Sequence, residues 1–384
     1  MAKSKKKTTV GRRGFLKAAA AFVAAAPAPA TNAAGAQAPA AGQDWLSLTR
    51  EAALEPDLPI IDPHHHFWND ADRSPRRYLL DDLAADVKGQ NVRQTVFIEC
   101  GSMYRSDGAT EFRVVGETEF VQGIAAECAS GRYGDLRAAA GIIGTTDLRL
   151  GDRVAPVLEA QMAASRQRFR GIRHGGAWVE PGLLPGASVA PRSSSRPAII
   201  QHLLVDSEFR RGYSYLRTYG LTFEGWVYHM QIGELTDLAK AFPDTTIIFN
   251  HLGGPIGVGP YAGHRDEIFA VWKSSIAELA KSRNIVAKVG GIQMVVNGYG
   301  WHEKKQPPTS DELLAANRDW YLYIIDKFSP TRCMFESNFP VDRLSCSYTV
   351  LWNQFKKLTK NFSPTERSAM FHDTAMRVYR LPRH

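Results

Sequence analysis

Long apolar segments and cysteine clusters are both missing from this chain of 384 residues. No apolar run approaches the roughly 20 residues that a helix needs to cross a membrane, so we expect no membrane-embedded part. The four cysteines are Cys100, Cys128, Cys333 and Cys346, and none belongs to a C-x-x-C pair. That spacing excludes a zinc site built from cysteine pairs, and buried free thiols are the simplest expectation.

An excess of positive charge is also missing from the body of the chain, although the formal net charge is +8. Seven of the 47 lysines and arginines lie within the first 40 residues, where there is no acidic residue. The remaining 40 basic residues face 39 acidic ones, which is a net charge of +1. A body so close to neutral gives no indication of nucleic-acid binding.

The basic N-terminus has the pattern of a targeting signal. Arg12 and Arg13 precede Phe15-Leu16, a weakly apolar stretch runs over residues 18–26, and small residues follow to about residue 40. This order resembles a twin-arginine signal peptide, and a basic disordered tail is the alternative. We therefore predict a signal peptide and linker over residues 1–42, a mature domain over residues 43–384, and export to the periplasm or the medium.

Strand-like and helix-like segments alternate along the mature chain. The predicted strands cover residues 60–66, 93–100, 136–143, 169–174, 221–229, 245–251, 285–290 and 333–337. Such alternation predicts a parallel α/β sheet, and eight repeats predict a single (β/α)8 TIM barrel with long loops after strands 4, 6 and 7. An open doubly wound sheet is the alternative, but no G-x-G-x-x-G follows an early strand.

Histidines gather at three predicted strand ends. His64, His65 and His66 end strand 1, and because residues i and i+2 of a strand share a side, His64 and His66 form an H-x-H pair. His229 and His251 end strands 5 and 6. Carboxyl ends of barrel strands converge on one mouth, and H-x-H is a common half of a metal site. The alternative is that these histidines are buried in the core with their hydrogen bonds formed and take no part in a site.

Other polar and aromatic side chains follow the same strand ends. Cations next to aromatic faces predict a pocket for an acidic or hydroxylated ring compound, whereas ordinary loop composition explains any one of these residues taken alone. The candidates for substrate binding are Tyr104, Arg105, His174, Trp226, Tyr228, Lys288 and Trp301.

Five segments together resemble the amidohydrolase superfamily, and within it the amidohydrolase-related branch that contains pyrone-dicarboxylate lactonase, sugar-lactone hydrolases and some decarboxylases. The segments are Asp-Pro-His-His-His-Phe-Trp at 62–68, Phe-Arg-Gly-Ile-Arg-His at 169–174, Trp-Val-Tyr-His at 226–229, Asn-His-Leu-Gly-Gly-Pro at 250–255 and Arg-Cys-Met-Phe-Glu-Ser-Asn-Phe-Pro at 332–340. The resemblance implies that His64, His66 and His229 hold a metal or, in metal-free lactonases, the substrate carbonyl. It also implies that His251 polarises the substrate or moves a proton.

The segment after strand 8 departs from the family pattern, because Asn338 stands where the family has a water-activating Asp. An amide cannot take a proton and is a poor ligand for a zinc-type ion. We therefore expect Zn or Mn to be held weakly or not at all. Glu99, at the end of strand 2, is the replacement base or else a structural partner of Arg105 or Arg173. Asp342 and Glu336 are weaker candidates for the base. Asp342 is expected to cap the following helix, and Glu336 is expected to point outside the barrel.

These features predict a hydrolase that opens a lactone. The predicted catalytic residues are His251, Glu99, Asn338 and Arg173. The alternatives are hydrolysis of a C–N bond, a decarboxylase of the same superfamily, and a catalytically silent barrel that only binds a ligand. A small molecule is the expected partner, without nucleic acid or membrane, and the sequence leaves the oligomeric state open.

Overall fold

Eight parallel strands form the centre of the structure, a computed structural model that describes residues 44–184 and 195–383. They lie side by side in chain order as β1 Ile60–His65, β2 Val92–Ile98, β3 Arg137–Gly144, β4 Phe169–Ile172, β5 Thr222–Gly225, β6 Ile247–Phe249, β7 Ile285–Gly290 and β8 Cys333–Glu336. Next to the ends of β8 and β1, Asn338 N donates to His64 O at 2.9 Å and His66 N donates to Phe339 O at 2.8 Å. The predicted single TIM barrel is confirmed, with its long connections after β4, β6 and β7.

Helices follow the strands and cover the outside of the barrel. They are α1 Leu80–Asp86, α2 Val115–Ala129, α3 Ala155–Ala164, α4 Ser207–Thr218, α5 Ile232–Ala241, α6 Arg265–Leu279, α7 Ser310–Phe328, α8 Tyr348–Leu358, α9 Pro364–Ser368 and α10 Thr374–Val378. Local sequence sets where several of them begin. Asp206 accepts from Phe209 N at the start of α4, and Thr309 and Glu312 form a capping box at the start of α7.

Side chains alternate along the strands between the helix layer and the barrel interior. In β8, Phe335 packs in the core cluster shared with the helices, whereas Met334 packs in a second apolar cluster with Tyr379 and Leu381 near the C-terminus. The chain end therefore lies against the amino ends of the strands. The next inward residues above this apolar layer are charged, and Lys288 in β7 and Glu336 in β8 are both completely buried.

Two expectations concern cysteines and membrane segments. The four cysteines are all free and buried, as expected. In the described ranges, no helix has the length and apolar character to span a membrane. The signal peptide and linker predicted over residues 1–42 lie outside the described residues, so that boundary stays a prediction.

Candidate active site

The H-x-H pair lies at the carboxyl end of β1 and faces the interior, as the two-residue alternation predicts. The rings of His64 and His66 are 5.0 Å apart at 82°. His65 faces the other way, and its Nε2 lies 2.7 Å from Thr95 Oγ1. The Nδ1 of His66 lies 2.8 Å from the carbonyl oxygen of Ile98. That contact requires the proton on Nδ1 and leaves the lone pair on Nε2 of His66.

Glu336 is the carboxylate at the centre of the site. Its Oε1 lies 2.8 Å from His251 Nδ1, and its Oε2 lies 2.8 Å from His64 Nδ1. One buried carboxylate therefore holds two imidazoles that come from different strand ends. The sequence predicts that Glu336 points outside the barrel. This prediction is wrong, because Glu336 shares the inward side of β8 with Met334, two residues earlier.

His251 is confined on several sides. It has a left-handed backbone with φ of 52°, and its ring lies 4.4 Å from that of His64 and 4.8 Å edge-on from that of Trp226. A Cβ added to Gly291 would lie 1.9 Å from His251 Nδ1. Only glycine therefore leaves room for this imidazole, whose position is defined by packing as well as by Glu336.

The three imidazoles of the site are held in their neutral form. Burial lowers the pKa of His64 and His66 well below the usual range, and the charge of Lys288 lowers that of His64 further. Burial also lowers the pKa of His251, against the opposing influence of Glu336. A neutral imidazole has a lone pair, so these side chains can accept a proton or bind a metal ion.

Lys288 lies beneath His64 and belongs to a buried ionic group. Its Nζ lies 2.8 Å from Glu224 Oε2 and 3.1 Å from His64 Nδ1. Glu224 in turn accepts a hydrogen bond of 2.5 Å from the hydroxyl of Tyr379. The sequence predicts that Lys288 binds substrate. The structure instead places it below His64, away from the cavity at the mouth of the barrel, because it is an inward residue in the middle of β7.

Glu99 is held by two arginines. Arg173 Nε donates to its Oε1 at 2.8 Å, and Arg196 Nη2 lies 3.3 Å from its Oε2. Burial alone would raise the pKa of Glu99, but the guanidiniums of Arg196 and Arg173 outweigh burial and lower it. Of the two roles left open by the sequence, this geometry corresponds to the structural partner of Arg173. Arg196 was missed because it lies in a Pro- and Ser-rich loop without a motif.

Asn338 is backed by a carboxyl group. Its Nδ2 donates to Asp342 Oδ1 at 2.9 Å, and its backbone is left-handed with φ of 55°, a conformation that asparagine tolerates. Asp342 also accepts from Gln293 N at 3.2 Å, and burial raises its pKa well above the usual range. Asp342 therefore orients Asn338. The prediction that it caps the following helix is wrong, because Ser347 caps α8 through a hydrogen bond from Val350 N.

A cavity of about 380 Å³ opens beside these residues. Three cationic side chains line it, and they are Arg73, Arg173 and Arg196. Arg73 lies 4.6 Å over the ring of Trp68. The other wall includes His66, Trp226, His251 and Asn338. Cations and aromatic faces at one mouth are suited to an anionic ring compound.

His229 does not join the other histidines. Strand β5 ends at Gly225, and His229 begins a 3-10 turn instead of ending the strand. Its Nδ1 accepts from Ile256 N at 3.4 Å, and its ring packs edge-on against Tyr261. Burial lowers its pKa to about 4. The predicted metal set of His64, His66 and His229 is therefore not brought together.

The remaining predicted substrate-binding residues have supporting positions. His174 Nδ1 accepts from Leu148 N at 3.3 Å and ties two loops together. Arg105 forms an ion pair with Glu119 at the surface. Trp301 Nε1 donates to Gln293 Oε1 at 2.9 Å, behind Asp342.

Two tyrosines complete the predicted substrate-binding set. Tyr228 packs edge-on against Trp226 at 5.5 Å. Burial raises the pKa of Tyr104 well above the usual range. Neither tyrosine is among the residues that line the cavity.

A metal ion would find a different donor set from the predicted one. Within the described ranges, the ligand atoms of His64, His251 and Glu336 lie within 4.8 Å of one another. Two imidazoles and a carboxylate are a donor set that suits zinc. The two oxygens of Glu336 lie 2.8 Å from nitrogens of His251 and His64, so the three side chains converge on one buried point. The residues therefore fit a divalent metal.

Known proteins resemble the chain over most of its length. A family model described as amidohydrolase matches residues 61–381. The uncharacterized protein y4mH of Sinorhizobium fredii is 32% identical over 344 residues, which are 85% of this chain and 99% of that protein. The L-fucono-1,5-lactonase of Burkholderia multivorans is 24% identical over 335 residues, which are 84% and 96% of the two chains.

A solved structure supports the same barrel. An amidohydrolase from Burkholderia multivorans with bound zinc superposes with a TM-score of 0.62 at 24% identity, over 84% of this chain and 99% of that chain. At this level of identity the likeness shows the shared fold.

Proposed function

This chain belongs to the amidohydrolase family and is a hydrolase, and on that premise we propose that it opens a lactone ring by attack of water on the carbonyl carbon. The observation that carries the proposal is the Glu336–His251 pair, 2.8 Å apart beside a cation-lined cavity. The 24% identical relative named as a lactonase supports the reaction class.

His251 is the proposed base: it takes a proton from the attacking water and returns it to the ring oxygen when the ring C–O bond breaks. Glu336 holds its Nδ1, so Nε2 is the nitrogen with the free lone pair, and a carboxylate behind an imidazole makes that lone pair more basic. Glu99, which the sequence suggests as the base, has the role of holding Arg173 and Arg196. Asn338 cannot take the proton. Its Nδ2 is hydrogen-bonded to Asp342, so its Oδ1 is the atom that can orient the water.

Charge that develops on the carbonyl oxygen needs a donor in a water-poor site. Arg173 lines the cavity and lies 3.4 Å from His64 Nε2 through its Nη1, which places its guanidinium between His64 and the substrate space. A divalent metal held by His64, His251 and Glu336 would supply a Lewis acid for the same oxygen. His251 would then be a metal ligand, so its role as the base belongs to the enzyme without the metal. We propose that this metal is Zn or Mn and that it is held weakly.

The substrate class follows from Arg196. It is 28% exposed, so it can reach a carboxylate on the bound ring, and a guanidinium binds a carboxylate through two parallel hydrogen bonds. Arg73 is instead paired with Asp70 at 3.1 Å. We propose a small lactone that carries a carboxylate or several hydroxyl groups.

A panel of lactones with matched acidic and neutral members tests this function. Arg196→Gln is expected to raise KM for an acidic lactone by about tenfold or more and to leave KM for a neutral lactone nearly unchanged. Arg105→Gln is the matched control, because that arginine is paired with Glu119 at the surface. If no lactone is opened while an amide or a carboxylated aromatic ring is consumed, the reaction is that of another amidohydrolase. If nothing is consumed, the barrel only binds its ligand.

We also propose export by the twin-arginine route. Replacing both Arg12 and Arg13 by lysine is expected to leave the protein in the cytoplasm, because the transporter recognises the arginine pair. Cell fractionation with an antibody against the mature chain measures the distribution. The same double change at Arg76 and Arg77 is the control, since that pair lies in the mature domain. Unchanged periplasmic recovery after the change at Arg12 and Arg13 would disprove this route.

A further inference from the structure

A second cavity, of about 560 Å³, lies at the opposite end of the barrel. It opens at the amino ends of β3 and β4 and shares no lining residue with the catalytic cavity. Four arginines line it, and they are Arg137, Arg168, Arg170 and Arg380. Small side chains such as Ala125, Ala129 and Ala138 form much of the remaining wall and leave space between the guanidiniums.

None of these four arginines has a carboxylate partner among the described residues, and no acidic side chain lines the cavity. Their hydrogen bonds go to neutral acceptors. Arg137 donates to Gly134 O at 2.8 Å, Arg168 donates to Gln122 Oε1 at 3.1 Å, and Arg170 donates to Tyr379 O at 2.6 Å. Arg93, at the start of β2, is different, because it is paired with Asp135. The charge of the four arginines is thus not compensated locally.

Burial and mutual repulsion destabilise the charged form of two of these arginines. Burial lowers the pKa of Arg170, and the neighbouring charges of Arg380 and Arg168 lower it further. Burial also lowers the pKa of Arg380. Like charges that are partly removed from water repel one another, and a bound anion would remove that repulsion.

We propose that this cavity binds a phosphate group, either as free phosphate or on a small phosphate ester. Arginine presents its donors as a planar fork that matches the oxygens of phosphate, and a dianion neutralises two of the four charges. Arg170 also holds the carbonyl of Tyr379, whose side chain reaches Glu224 below the catalytic histidines. The bound anion therefore also stabilises the C-terminal segment against the barrel.

Titration of the mature protein with inorganic phosphate, at constant ionic strength maintained with sodium chloride, tests the site by calorimetry and by thermal unfolding. The melting temperature is expected to rise with phosphate concentration, because the anion binds the folded state. The double variant Arg168→Gln/Arg380→Gln is expected to raise Kd by about tenfold or more, since each charged hydrogen bond contributes on that scale. Arg170 is left intact because it holds Tyr379.

Arg217→Gln is the control, because this exposed arginine is paired with Asp244 away from the cavity, and it should bind phosphate like the wild type. Tighter binding of glycerol phosphate than of inorganic phosphate assigns the site to an ester, and equal binding assigns it to the free anion. An unchanged Kd in the double variant, no binding by the wild type, or an equal effect of chloride alone would each overturn the proposal. The result is independent of any lactone assay.

Discussion

Replacing Glu336 by glutamine is expected to lower kcat for lactone hydrolysis by roughly 100- to 10,000-fold, the usual effect of removing a positioned acid–base partner. The carboxylate lies 2.8 Å from nitrogens of both His251 and His64. Glutamine has one acceptor oxygen, and its amide nitrogen would face the second imidazole as another donor. His251 would lose both its orientation and the basicity that an adjacent anion gives to Nε2.

Steady-state kinetics on the best lactone of the panel measures this loss, and circular dichroism checks that the barrel is folded. Glu234→Gln is the matched control, because Glu234 also holds a histidine, His202, at 2.8 Å but at the surface. Its kcat should equal that of the wild type. A Glu336→Gln enzyme with wild-type kcat would show that the catalytic base is not the His251–Glu336 pair.

Replacing Lys288 is expected to tighten metal binding by at least about tenfold, where each factor of ten corresponds to about 1.4 kcal/mol. Its Nζ lies 3.1 Å from His64 Nδ1, so a cation bound by His64, His251 and Glu336 would lie near a buried positive charge. At about 5 Å and an effective dielectric constant of about 20, two unit charges repel by about 3 kcal/mol. Lys288 therefore opposes metal binding. Its removal should favour the metal even when Glu224 is neutralised with it, because Lys288 contacts His64 directly and Glu224 contacts Lys288.

The variant for this test is Lys288→Met combined with Glu224→Gln. Removing the lysine alone would leave Glu224 buried without its ion-pair partner, which costs several kcal/mol of stability. Metal content by mass spectrometry and Kd by competition with a chromophoric chelator are the measurements. The wild type is expected to be isolated with less than one equivalent of metal.

Lys356→Met is the matched control, since Lys356 is a buried lysine that binds Gln90 and backbone carbonyls instead of a histidine. Its metal affinity should not change. A wild-type protein with one full equivalent of metal that resists chelators, or an unchanged Kd in the double variant, would show that Lys288 does not oppose the metal.

Local periodicity in the sequence was enough to predict the barrel and part of the site. The alternation of apolar strands with helices predicted eight βα units in the right order. The two-residue period of a strand predicted that His64 and His66 share a side and that His65 faces away. These properties depend only on neighbours in the chain, which is why they could be read without a structure.

The tertiary structure alone decided which residues meet. Strand β5 ends four residues before His229, and the turn that follows carries this histidine away from the others. Glu336 faces inward through the register of β8, and Glu99 meets Arg196 from a loop almost 100 positions later. Lys288 meets Glu224 only because β5 and β7 flank β6 and point their inward side chains into the same layer of the barrel interior. Partners of this kind are brought together by closure of the barrel, and pairs so distant in the chain have no local pattern that reveals them.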